Sequence, residues 1–168
     1  MKIDPINFWM QLERLERMIR AAELKAGLIV SFHSLILGLL FDKLDLIKDI
    51  FENNTIFFIL SCIWILLVVL SLYFSIKCFI PRMELKYDSN VFFFKDIVTE
   101  FGDAKEYSAK LIEVCKNENE FLDQLTQQIH AESNIIEVKF KYVQKSIKYL
   151  AYSFILVVLI IGLWLIMV

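Results

Sequence analysis

The chain has 168 residues, 58% of them apolar, with fifteen Phe, four Gly, two Pro and a net charge of −2. Much of the apolar content lies in long continuous runs instead of at helix or strand period, which excludes an ordinary soluble domain and makes a bilayer the solvent for part of the chain. The small net charge and the lack of a Lys/Arg block argue against nucleic acid as a partner, and Cys62, Cys78 and Cys115 have neither disulfide nor zinc-ligand spacing.

The first predicted element is a helix opened by Asp4-Pro5, an N-cap acceptor followed by a proline whose missing N–H costs nothing at the first helical position. Phe8, Leu12, Leu15, Ile19 and Ala22 then recur at steps of four and three, a coiled-coil-like seam. No Gly-Pro breaker separates this amphipathic segment, residues 1–25, from an apolar run, residues 26–41, that reads as a first membrane span. One helix from Pro5 to Phe41 would be roughly 55 Å long, so its first half must project from a hydrocarbon core of about 30 Å. The amphipathic helix before the run and Asp-Lys-Leu-Asp after it are wrong for a signal peptide.

Glu23 and Lys25 fall at the expected membrane surface. In one account Lys25 snorkels and Glu23 faces water; in the other Glu23 pairs with a cation of another helix, such as Arg82 or Lys148, and locks a resting bundle. His33 is an ionisable residue inside the span and hence a functional candidate. Its alternative is a neutral ring bonded to Ser31, Ser34 or a neighbouring helix.

A polar link, residues 42–55, leads to the clearest span, residues 56–80, whose one charge, Lys77, lies near its end. Pro81 stops that span. "PRMELKYDSNVFFFKDIVTEFG", residues 81–102, is the least periodic part of the region between the second and third spans; Tyr87 to Asn90 reads as a turn, and three Phe lie beside charges. Such loops beside a helical bundle are where a small polar ligand is held. Gly102-Asp103 with Glu106 reads as a break and a capping box, and Lys116 to Glu120 as a turn. Leu122, Leu125, Ile129, Ile136, Phe140, Val143, Ile147 and Leu150 then form a seam, interrupted at Glu132-Ser133, that runs into a third span, residues 150–168. His130 reads as exposed.

Lys and Arg are concentrated before the first span and in residues 81–149, which puts the N-terminus and that region in the cytoplasm and the C-terminus in the periplasm. The fold expected is all-α: three transmembrane helices with long helices continuing into a cytoplasmic helical bundle, residues 81–149 acting as a sensor region. GxSxG, HExxH, a Gly-rich phosphate loop and Cys-x-x-Cys are all missing. The chain therefore reads as a non-enzyme with no catalytic residue, metal or cofactor.

"IRAAELKAGLIVSFHSLILGLL", "IPR" with "NVFFFKDI", and "LTQQIHAESNIIEVKFKYVQKSIKYLAYSFILVV" together resemble the transmembrane effector family of Pycsar, the pyrimidine cyclase system for antiphage resistance, known as PycTM. The likeness covers nearly the whole chain in order, and Glu23 stands where the family commonly has Asp. The resemblance implies an inner-membrane effector partnered with a cyclase, activated by cyclic CMP or cyclic UMP to impair the membrane and cause abortive infection. Residues expected to serve the ligand are Arg82, Lys86 and Lys141 for charge, Phe92, Phe93, Phe94 or Tyr142 for stacking, and Asn90 or Gln128 for the base edge. Glu23, Lys25 and His33 are the expected junction and gating residues, and the helix seams suggest a homo-oligomer. The alternatives are an effector for a cyclic oligonucleotide and a membrane scaffold or channel subunit that senses nothing.

Overall fold

The structure, a computed structural model, describes residues 4–42, 54–80 and 89–167. Its elements are α1 (Ile6–Asp42), α2 (Thr55–Phe79), the short α3 (Phe94–Thr99), α4 (Ala104–Lys116) and α5 (Glu118–Met167). Among the described residues there is no strand, and three helices, α1, α2 and α5, are long and apolar enough to cross a membrane. The chain divides into two compact units: Met1–Arg20 with Arg82–Glu137, and Ala21–Pro81 with Val138–Val168. Helices α1 and α5 contribute residues to both.

Local chemistry starts the helices where the sequence suggests. Asp4 Oδ1 accepts from the Ile6 N–H at 3.0 Å, and Asn54 caps α2 by accepting from the Ile56 N–H at 3.1 Å, so each relieves an otherwise unpaired donor. Asp103 accepts from the N–H groups of Lys105 and Glu106 at 2.8 and 2.9 Å. The preceding Gly102 has φ +62°, a left-handed backbone in which a Cβ would also strike the Glu106 carboxylate. Asn117 ends α4 through its N–H to the Val114 carbonyl. One residue on, α5 begins and runs without interruption for 50 residues.

In α1, Leu12, Leu15 and Ala22 of the expected seam are buried, and the row continues through Ala26, Ile29 and His33. In α2 the inward row is Phe57, Trp64, Val68, Ser71, Ser75 and Cys78. The seam expected along α5 is corrected at Ile147, which is exposed, while Ser146 one step earlier is fully buried. The reason is hydrogen bonding across helices. The Ser146 hydroxyl donates to the Ser71 carbonyl at 2.8 Å and shares a 2.7 Å contact with the Ser75 hydroxyl, and the Ser71 hydroxyl donates to the Ser146 carbonyl at 3.0 Å. In hydrocarbon an apolar side chain gains nothing by leaving lipid for protein, whereas a hydroxyl gains a partner, so the serines and not Ile147 turn inward. Ser146→Ala is expected to lower stability by about 1 kcal/mol, read from unfolding in bicelles; an unchanged unfolding curve would contradict the clamp.

Candidate functional site

The second unit is tied together at the point where the charged pattern of α1 and α5 gives way to apolar sequence. Ala22, Ala26, Cys78 and Val143 form a small core there, with Phe140 and Tyr142 packed against it. Small residues bring the three backbones close, and a lysine enters the space between them. The Lys139 ammonium on α5 donates to Glu23 Oε1 on α1 at 2.7 Å and to the Cys78 carbonyl in the last turn of α2 at 2.7 Å. The Lys139 side chain is 8% exposed and that of Glu23 37%. One cation thus holds three helices, using a carboxylate from the first and the negative end of the second.

Glu23 therefore pairs with a cation of another helix, and among the described residues that partner is Lys139, not Lys148; the other expected partner, Arg82, lies outside the described residues. Lys25 points elsewhere, its ammonium 5.9 Å from the Phe140 ring centre. His33 is buried at 1% exposure, and its Nε2 has no hydrogen-bond partner among the described residues. The Ser34 hydroxyl donates to the Val30 carbonyl at 2.9 Å.

The first unit carries a separate polar arrangement around residues 89–93. The Asn90 amide donates to the Gln124 carbonyl at 2.8 Å, and Asn90 Oδ1 accepts from the Phe92 N–H at 2.9 Å. The Val91 N–H donates to Gln124 Oε1, and the Asn90 N–H to Asp96 Oδ2, both at 2.9 Å. These bonds satisfy buried groups in a loop that has no helix or strand to do so. Phe92 meets Trp9 of α1 and Phe121 of α5 edge to face at 5.6 and 5.7 Å.

Along α5 lie two acceptors that the protein leaves unused. Gln128 Nε2 donates to Glu132 Oε1 at 3.1 Å, but Gln128 Oε1 and Glu132 Oε2 are shielded from solvent with no hydrogen-bond partner among the described residues. Burial pushes the Glu132 carboxyl above its ordinary value of 4.5; the Gln128 amide opposes this, and the charge of Glu16 on α1 adds to it. The seam break at Glu132 is thus a place where polar groups enter the packing. Ser133 there returns its hydroxyl to the Ile129 carbonyl at 2.8 Å.

Of the residues expected to serve a ligand, Arg82 and Lys86 lie outside the described residues. Asn90, Phe93, Phe94 and Gln128 belong to the first unit, and Lys141 and Tyr142 to the second. Asn90 has both ends of its amide engaged within the protein, Phe93 is buried, and Phe94 is 62% exposed. Gln128 retains a free acceptor. Lys141 is exposed, and Tyr142 is half-buried with its ring 6.4 Å from Phe74. Sequence reasoning missed Lys139, which there is one basic residue among many in its region. The signal was its place directly beside Phe140 in an otherwise apolar row. It also missed Gln124, whose part depends on a loop far away in sequence.

Apolar helices of membrane-spanning length, continuous with polar helices and pinned by a buried ion pair, define an integral membrane protein with a helical polar unit. Residues 7–166 match a family model described as the Pycsar effector protein domain, PycTM. The chain belongs to that family and is a membrane effector of the antiphage Pycsar system, whose effectors work with a cyclase. No curated protein and no solved structure matches it.

Two measurements check the site. Glu23→Gln leaves the Lys139 ammonium without a counter-charge and is expected to cost about 2 kcal/mol. That is less than for a fully buried pair, because Glu23 keeps contact with water, and Glu23→Gln with Lys139→Met should recover most of the loss. Additive losses in the double-mutant cycle would disprove the coupling. For Glu132, a raised folded pKa means that the folded carboxyl binds its proton more tightly than the unfolded one. Its contribution is present below about pH 4.5 and is lost as pH rises through the raised value. The melting temperature of wild type minus that of Glu132→Gln should accordingly fall as pH rises above 4.5; parallel profiles would refute this.

Proposed function

We propose that this effector is switched by cyclic CMP or cyclic UMP made by the partner cyclase, and that the switched form damages the inner membrane so that infection aborts. It acts by binding and rearrangement, with no catalytic step of its own. The observation that carries the reading is the Lys139 contact to Glu23 and Cys78, because it is a reversible, charge-dependent tie between three helices. Two of those helices, α1 and α5, also supply the polar unit, so a ligand bound among their polar residues has a direct mechanical route to the tie.

Gln128 and Glu132 suit the edge of a pyrimidine. A protonated Glu132 beside the Gln128 carbonyl oxygen offers a donor next to an acceptor, the complement of N3 and the exocyclic amine of cytosine; an ionised Glu132 would instead accept from N3–H of uracil. Both oxygens are shielded in this state, so a base reaches them only when the side chains around them move. Binding energy spent on that movement is what would shift the helices between two states. Trp9 and Phe94, both exposed, offer ring faces for stacking. In the cell the polar unit faces the cytoplasm, where the messenger is made, in keeping with the Lys/Arg distribution.

The test is dye release from liposomes containing the purified full chain, with cyclic CMP, cyclic UMP, cyclic AMP and a cyclic dinucleotide added separately. Release with one of the first two alone is expected, and Gln128→Ala should shift its dose curve by roughly tenfold, the worth of one buried hydrogen bond. If neither pyrimidine nucleotide causes release or raises thermal stability, the reading is wrong, since a ligand of the native state must stabilise it.

A further inference from the structure

The second unit also holds a strongly one-signed patch that the proposed switch does not use. Among its described residues the only carboxylates are Glu23, engaged by Lys139, and Asp42 at the far end of α1, against lysines 25, 77, 139, 141, 145 and 148. The ammonium of Lys77, in the last turn of α2, lies 5.7 Å from the Tyr73 ring centre, and that of Lys145 on α5 lies 5.3 Å from the Phe74 ring centre. The two rings are themselves in contact, 5.3 Å apart, and Phe74 stacks on Tyr149 of α5 at 5.5 Å with 7° between planes. The serine clamp of Ser71, Ser75 and Ser146 lies alongside and keeps α2 and α5 together. Neither Lys77 nor Lys145 faces a carboxylate among the described residues, so each has only a ring face to offset its charge.

We infer that Lys77 and Lys145, held over the Tyr73 and Phe74 rings where α2 meets α5, bind the phosphate of an anionic phospholipid. Two observations select a lipid over a soluble anion. The charge is uncompensated and positive at the last turn of one apolar helix and just before the apolar run of another, the depth at which headgroup phosphates lie. On the same helix faces as these lysines, Leu66 and Tyr73 of α2 and Tyr152 and Leu159 of α5 are exposed and offer acyl chains a surface continuous with the lipid-facing sides of the helices. A ligand that satisfies both halves has an anionic head and a hydrocarbon tail. The ring cluster adds rigidity, since lysines resting on stacked aromatics lose less side-chain freedom when they take up a phosphate. The site needs no messenger, so it stands apart from the nucleotide reading.

The test uses the full chain in nanodiscs of phosphatidylcholine alone and of phosphatidylcholine with phosphatidylglycerol, without nucleotide. Wild type is expected to melt higher in the anionic discs and to retain phosphatidylglycerol in native mass spectra. Lys77→Gln/Lys145→Gln should weaken retention on the order of thirtyfold, from about 1 kcal/mol per lysine, and abolish the difference in melting temperature. An unchanged melting temperature of the variant in neutral discs shows that it folds. A Lys110→Gln/Lys116→Gln variant, altered in α4, should behave as wild type. Equal retention by wild type and the Lys77/Lys145 variant would overturn the assignment, as would an equal loss in the α4 variant.

Discussion

A lysine that would ordinarily reach for water instead sits between three helices, and the second unit depends on how its charge is met. Moving an ammonium out of water costs several kcal/mol unless its hydrogens are taken up by oxygens in good geometry. Lys139 finds two such oxygens at 2.7 Å, one a carboxylate on α1 and the other a carbonyl at the C-terminal turn of α2. The carbonyl belongs to the end of a helix, where carbonyls lack intrahelical partners, so the lysine satisfies a group that needed one. Alanines at 22 and 26 make the approach possible, because any larger side chain would hold the backbones apart. Such a tie is strong while complete and costly when half of it is removed.

The same economy of polar contacts runs through the rest of that unit. Ser71, Ser75 and Ser146 join α2 to α5, and Phe74, Tyr142 and Tyr149 stack where charged side chains begin. In a bilayer apolar packing alone does not distinguish a neighbouring helix from lipid, so these contacts set which helices meet and at what rotation. The first unit solves a different problem. Its irregular loop must place backbone groups away from water, and Asn90 and Gln124 take them up, while Trp9, Phe92 and Phe121 supply apolar area. Against that full satisfaction, the unpaired oxygens of Gln128 and Glu132 stand out as polar capacity held in reserve.

The candidate site is legible in the sequence only in part. Glu23 reads as a residue in search of a cation, because an acid at a membrane surface is unusual wherever it occurs, while for Gln128 the sequence offers only an amide, and the unused acceptor shows only in the structure. Asn90 has the right chemistry for ligand recognition, but its amide is spent on folding the loop. Lys139 does not stand out, because the basic residues on one side of the membrane look alike until one of them is seen to be inside.

What the sequence by itself determined is the one-dimensional part of this protein. Apolar length sets three membrane-crossing helices, Asp4, Asn54 and Asp103 set helix starts, Gly102 sets a break, and the motifs in order set the family. Each of these follows from interactions within a few residues, or from transfer of a continuous segment into lipid, and needs no knowledge of what lies across the bundle. The tertiary structure alone decided which lysine is buried, that Glu23 meets it from 116 residues away, and that Ser146 displaces Ile147 from the interior of α5. Those choices depend on the pairing of polar groups between helices, and the energy of a pair belongs to neither residue until the helices are side by side.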